Sequence, residues 1–126
     1  MDFIELLKQS IRIDTPLSDI VKAFEKMCSI PIDNDLILFE TGTYSFTGES
    51  LFYFSLVRQF PNNDGEYYQI HTDILYKPDK RNKKLHNTVW SDSIKGDIFE
   101  YIRNSKAFEY AEHETPLRVD IHMDET

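Results

Sequence analysis

The stretch "LFYFSLVRQFPNNDGEYYQIHTDILYK", Leu51 to Lys77, decides the fold. Its two ends are rich in aromatic and β-branched residues, which suit pleated, half-buried strands. Between them "PNNDGE", Pro61 to Glu66, is a dense cluster of turn residues. The pattern predicts an antiparallel hairpin. Because side chains alternate and opposed residues share a face, parity sorts the hairpin into two sides. Even positions carry Phe52, Phe54, Leu56, Phe60, Tyr68, Ile70, Ile74 and Tyr76, and this side is predicted to be core. Odd positions carry Tyr53, Ser55, Val57, Gln59, Tyr67, Gln69, His71 and Asp73, a face that is polar and aromatic together.

The neighbouring segments extend this frame. "LILFETGTYSF", Leu36 to Phe46, reads as a preceding strand of the same meander. Before it, Asp2 to Arg12 forms a first helix with Phe3, Ile4, Leu7 and Ile11 on one stripe. Thr15 is a plausible N-cap for a second helix with Pro16 at its first position, where a missing N–H costs nothing. That helix runs to about Cys28, with Leu17, Ile20, Val21, Phe24, Met27 and Cys28 facing the core. Cys28 is therefore expected to be a buried structural thiol.

Downstream, "LHNTVW", Leu85 to Trp90, reads as a short fourth strand ending in a core Trp90. "SDSIKGDIFEYIRNSKAFEYAE" is helical, with a break near Asn104 and Ser105 and an apolar stripe of Ile94, Ile98, Tyr101 and Ile102. In "PLRVDIHMDET", Leu117, Val119, Ile121 and Met123 alternate with Arg118, Asp120, His122 and Asp124, the signature of a half-buried strand. The order of elements implies one α+β domain over residues 1–126. Its sheet is largely antiparallel with four or five strands, and two N-terminal helices and one helix before the last strand pack on one face.

At 126 residues the chain is long enough to bury a sizeable core without staples. One cysteine excludes an internal disulfide, and the start, "MDFIELLKQS", lacks the pattern of a signal peptide. No stretch approaches the roughly 20 apolar residues of a membrane-spanning helix. These features point to a cytoplasmic protein that does not act at a membrane.

Net charge is -8, unevenly placed. "KPDKRNKK", Lys77 to Lys84, holds five of the 14 basic residues and one of the 22 acids, which leaves -12 on the remainder. An acidic body repels nucleic acid and speeds encounter with a basic partner. The basic run has no interleaved aromatic residues to stack bases, so it reads as a solvated connection.

The catalytic signatures are missing. The four glycines are scattered, so no phosphate loop forms, and neither GxSxG nor HExxH occurs. His113 sits at a helix end among charged residues. Asp92 and Asp97 lack the apolar setting that would raise a carboxyl pKa.

One conditional site remains. His71 and Asp73 lie on one side of their strand, as do Asp120, His122 and Asp124 on the last strand, with same-side residues about 6.6 Å apart. Pairing of those strands would give two histidines and three aspartates in one patch, able to converge on a metal. Exposed strand faces are normally polar, however, and a solvated face explains these residues as well.

The expectation from sequence is a small acidic, non-enzymatic protein-binding module with no catalytic, cofactor or metal site assigned. Its expected partner surface is Tyr53, Tyr67, Gln69, His71 and Asp73, since tyrosine offers rigid contact area with a polar tip. Immunity proteins and antitoxins, which neutralise basic toxins or nucleases, share this size and charge and nothing more specific. The alternatives are a metal-assisted hydrolase built on the His/Asp patch and a homodimer whose sheet face is self-complementary.

Overall fold

A computed structural model describes residues 3–29, 36–46, 49–61, 65–77, 87–90 and 97–125. The hairpin forms as read. Strand β2 (Glu49–Pro61) runs antiparallel to β3 (Tyr67–Tyr76), with Phe54 opposite Ile74 and Phe52 opposite Tyr76. Gly65, at φ +80, supplies the left-handed turn residue that only glycine adopts without strain. β1 (Leu36–Phe46) pairs with the other side of β2, and β4 (Asn87–Trp90) pairs with β1. β5 (Arg118–Glu125) pairs with β3, giving an antiparallel five-stranded sheet in the order β4-β1-β2-β3-β5.

The even-numbered residues of the hairpin face a core, with Phe52, Phe54, Leu56 and Ile74 fully buried. Phe60 and Tyr68, at the far end of the hairpin, are only half-buried and pair with each other at 5.7 Å. Phe39 of β1 joins the core by packing at 4.7 Å from the Phe54 ring, and Ile121 of β5 joins it from the opposite edge. Leu117 and Met123 were expected inward with Val119 and Ile121, yet both are about half exposed. Leu117 precedes the first residue of β5 and Met123 lies near its last, so both flank the buried Ile121 at the centre of the strand.

The four described helices all contribute to this core. α1 (Phe3–Ser10) contributes Leu7 and is followed by buried Ile11. α2 (Leu17–Cys28) buries Leu17, Ile20, Val21 and Phe24, four residues of the expected stripe. Each such side chain contributes about 1.5–3 kcal/mol by leaving water. Cys28 is half-buried against the core rather than enclosed, because it lies in the last turn where the helix leaves the sheet.

Thr15 does not cap α2; Pro16 occupies that position without a side-chain bond. The Thr15 hydroxyl instead accepts the Arg12 N–H at 3.0 Å and tightens the turn between the two helices. The first N–H groups of α2 find other acceptors: Leu17 donates to the Glu114 carbonyl and Ser18 to that of Glu112. The helix start is thus satisfied by tertiary structure.

The helical segment before β5 breaks where expected. α3 (Ile98–Arg103) and α4 (Lys106–Ala111) flank Asn104 and Ser105. Asp97 caps the first by accepting from Phe99 N–H, and Ser105 caps the second by accepting from Phe108 N–H. Tyr101 was expected on the buried stripe but is 41% exposed, and Phe99 takes its place against Phe24 at 6.2 Å. Ile94 and most of the basic run lie outside the described residues, as does the side chain of Trp90.

Parity also places Arg58 on the core side, where it is 2% exposed. Its Nη1 donates to the Met27 carbonyl at 2.8 Å, while Ser29 Oγ donates to the Lys26 carbonyl. Two terminal carbonyls of α2 are thereby paired, and a cation stands at the negative end of the helix dipole.

Candidate functional site

No described helix packs on the other face of the sheet, and the registers order that face into rows. The first row is Gly42, Tyr53, Leu75 and Arg118; the second is Glu40, Ser55, Asp73 and Asp120. The third is Leu38, Val57, His71 and His122, and the fourth is Leu36, Gln59, Gln69 and Asp124. The strand pairing on which the His/Asp patch depended is therefore present. His71 stands opposite His122, and Asp73 opposite Asp120.

The expected partner residues share this face but do not form one spot. Tyr67 begins β3 and is 46% exposed, whereas Tyr53 lies opposite Leu75, about 26 Å further along the strand direction. The face is also drier at its centre than alternation alone suggests, because Val57 and Ser55 on a central strand are buried between taller neighbours.

Hydrogen bonds fix the tall polar residues. Gln69 Nε2 donates to Gln59 Oε1 at 2.6 Å, and Gln69 Oε1 lies 2.9 Å from His71 Nε2. Ser55 Oγ donates to Asp73 Oδ1 at 2.6 Å. The imidazoles of His71 and His122 stack with centroids 4.9 Å apart and planes 5° from parallel. Asp124 Oδ2 lies 3.3 Å from His71 Nε2 and 3.4 Å from His122 Nε2, and Asp120 Oδ2 lies 3.3 Å from His122 Nδ1.

Beside this cluster the first two rows enclose a groove of about 670 Å³, lined by Glu40, Leu51, Tyr53, Asp73, Leu75, Leu117, Arg118 and Asp120 among others. Its lining is an apolar floor with a few convergent polar groups, the usual build of a binding site. Glu40, Leu75, Leu117 and Arg118 were not among the expected partner residues. Leu75 has the odd parity of this face but is not among the odd-position residues read from sequence, whereas Glu40 required the register of β1.

The groove changes the acidity of Tyr53. Burial pushes its phenol up to about 12, with the hydrogen bond it donates to Glu40 Oε1 at 2.8 Å and the charges of Glu40 and Asp73 adding to the effect. A raised phenol means that the native state holds its proton more tightly than the unfolded chain does. This contribution to stability is complete below pH 10 and is lost as pH rises through about 12. Glu40→Gln, which keeps an acceptor and removes the charge, is expected to lower the Tyr53 midpoint in a phenolate absorbance titration. An unchanged midpoint would mean that Glu40 does not act on Tyr53.

No family model, curated protein or solved structure matches the chain.

Proposed function

We propose that this chain is a small acidic protein-binding module that works in the cytoplasm and engages a basic protein through the helix-free face of its sheet. The observation that carries this reading is the arrangement of charge around the groove. Glu40, Asp73, Asp120 and Asp124 share the face with Arg118, while Tyr53, Leu75 and Leu117 supply apolar contact between them. A tyrosine and aliphatic centre within a charged rim is the anatomy of a protein interface. The overall charge of -8 favours a basic partner, and the lone thiol fits a reducing compartment.

The test begins with capture of the partner from the native host's lysate, followed by kinetics with the purified pair. Association is expected to slow as salt rises, because screening shortens to about 8 Å at physiological ionic strength. The triple substitution Glu40→Gln, Asp73→Asn, Asp120→Asn should slow association further. Tyr53→Ala should act mainly on dissociation, speeding it about tenfold, because it removes desolvated contact area. A partner whose kinetics ignore both salt and the triple substitution does not use this face.

A further inference from the structure

The seam between β3 and β5 holds a second arrangement that partner binding does not explain. One ligand atom each from His71, Asp73 and His122 lies within 4.8 Å of the others. Gln69 Oε1 and Asp124 Oδ2 take up the Nε2 side of His71, and Asp124 Oδ2 also stands at Nε2 of His122. With the Nε2 protons directed at oxygen acceptors, the imidazole lone pairs fall on the Nδ1 atoms.

His122 Nδ1 is shielded from solvent and has no hydrogen-bond partner, although Asp120 Oδ2 is 3.3 Å away and Asp73 Oδ2 4.0 Å away. A nitrogen lone pair facing two carboxylates repels them, and a cation between these groups reverses the sign of the interaction. Asp73 is prepared for this: its Oδ1 is occupied by the Ser55 hydroxyl, which leaves Oδ2 turned toward His122. Such outer hydrogen bonds orient metal ligands in known sites.

The geometry points to a divalent transition-metal site, suited to zinc, in which His71, His122 and Asp73 are the ligands and Asp120 stands next to them as a fourth donor. Two imidazoles with carboxylates match the borderline softness of zinc, which binds such donors at about 2.0–2.2 Å. All three ligand side chains are part-exposed, so rotation of rings and carboxylates closes the remaining distance while the paired backbone stays in place. The site shares Asp73 and Asp120 with the partner surface proposed above, but metal uptake needs only this chain, so it is measured without the partner.

Calorimetric titration of untagged, metal-free protein with zinc chloride tests it, with cobalt(II) as a spectroscopic stand-in. One equivalent should bind saturably, the melting temperature should rise with free zinc, and bound cobalt should show visible bands that zinc abolishes. His71→Ala and His122→Ala should each weaken binding by more than about a hundredfold, and Ser55→Ala by about tenfold through loss of the hold on Asp73. Asp73→Asn, which keeps the side chain's shape, guards against variants that fail to fold and should also lose the cobalt bands. His113→Ala, whose ring is exposed on another part of the surface, should change nothing. Absence of saturable uptake overturns the proposal, as does uptake that survives both cluster histidine substitutions or falls equally with His113→Ala.

Discussion

Phe54→Ala is expected to cost about 3–5 kcal/mol of stability, the range for removing a buried aromatic ring. Phe54 sits mid-way along a central strand with Thr41 on one side and Ile74 on the other, and none of its surface is exposed. The Phe39 ring packs on it at 4.7 Å, so the substitution removes both an aromatic pair and the volume beneath the helices. Strands hydrogen-bonded on both sides cannot collapse into the void. Asp124→Ala, on the edge strand of the opposite face, should change stability by less than about 0.5 kcal/mol. Urea denaturation of the two variants measures both values, and equal losses would reverse the assignment of the faces.

The second large effect falls on a charged residue. Arg58→Ala is expected to destabilise by about 2–4 kcal/mol, far more than loss of a surface arginine. The side chain is buried, its stem packs beneath the helices, and its guanidinium satisfies the Met27 carbonyl at the end of α2. Removing it takes away that carbonyl's side-chain donor and opens a cavity as well. Arg58→Met keeps most of the apolar stem and should lose less than Arg58→Ala. The difference between the two separates packing from hydrogen bonding. An Arg58→Ala variant with native stability would show that α2 does not depend on this tie.

Some of this architecture was legible because its signals are local. The hairpin from Leu51 to Lys77 alternates strictly enough for parity to assign both faces, and its turn residues fix where the chain reverses. The break at Asn104 and Ser105 was likewise readable, since Ser105 is a cap as well as a helix breaker. β1 was harder. "LILF", Leu36 to Phe39, is apolar at every position, so periodicity could not show that Ile37 and Phe39 face the helices while Leu38 and Glu40 face the other way. Glu40 was missed for that reason.

The same limit applied to the His/Asp patch. His71 and Asp73 were visible as a pair, and Asp120, His122 and Asp124 as a set, but their meeting depends on a non-local strand pairing that neither segment encodes alone. Arg58 shows the opposite case, in which a readable signal was passed over. Its even position already placed it on the core side, and only the habit of leaving arginine in water argued against it. Tyr101 and Phe99 exchanged roles because a six-residue helix is held by few contacts, and packing against Phe24 outweighed the stripe.

The helix-free face as the partner surface is tested most directly by carboxyl footprinting with a carbodiimide and a small amine, with and without the captured partner. Glu40, Asp73, Asp120 and Asp124 should lose reactivity in the complex, while Glu5, Glu25 and Glu100 on the helical side should react as in the free protein. Protection of the helical carboxylates with full reactivity at Asp73 and Asp120 would place the partner on the opposite side of the molecule and contradict the proposed function.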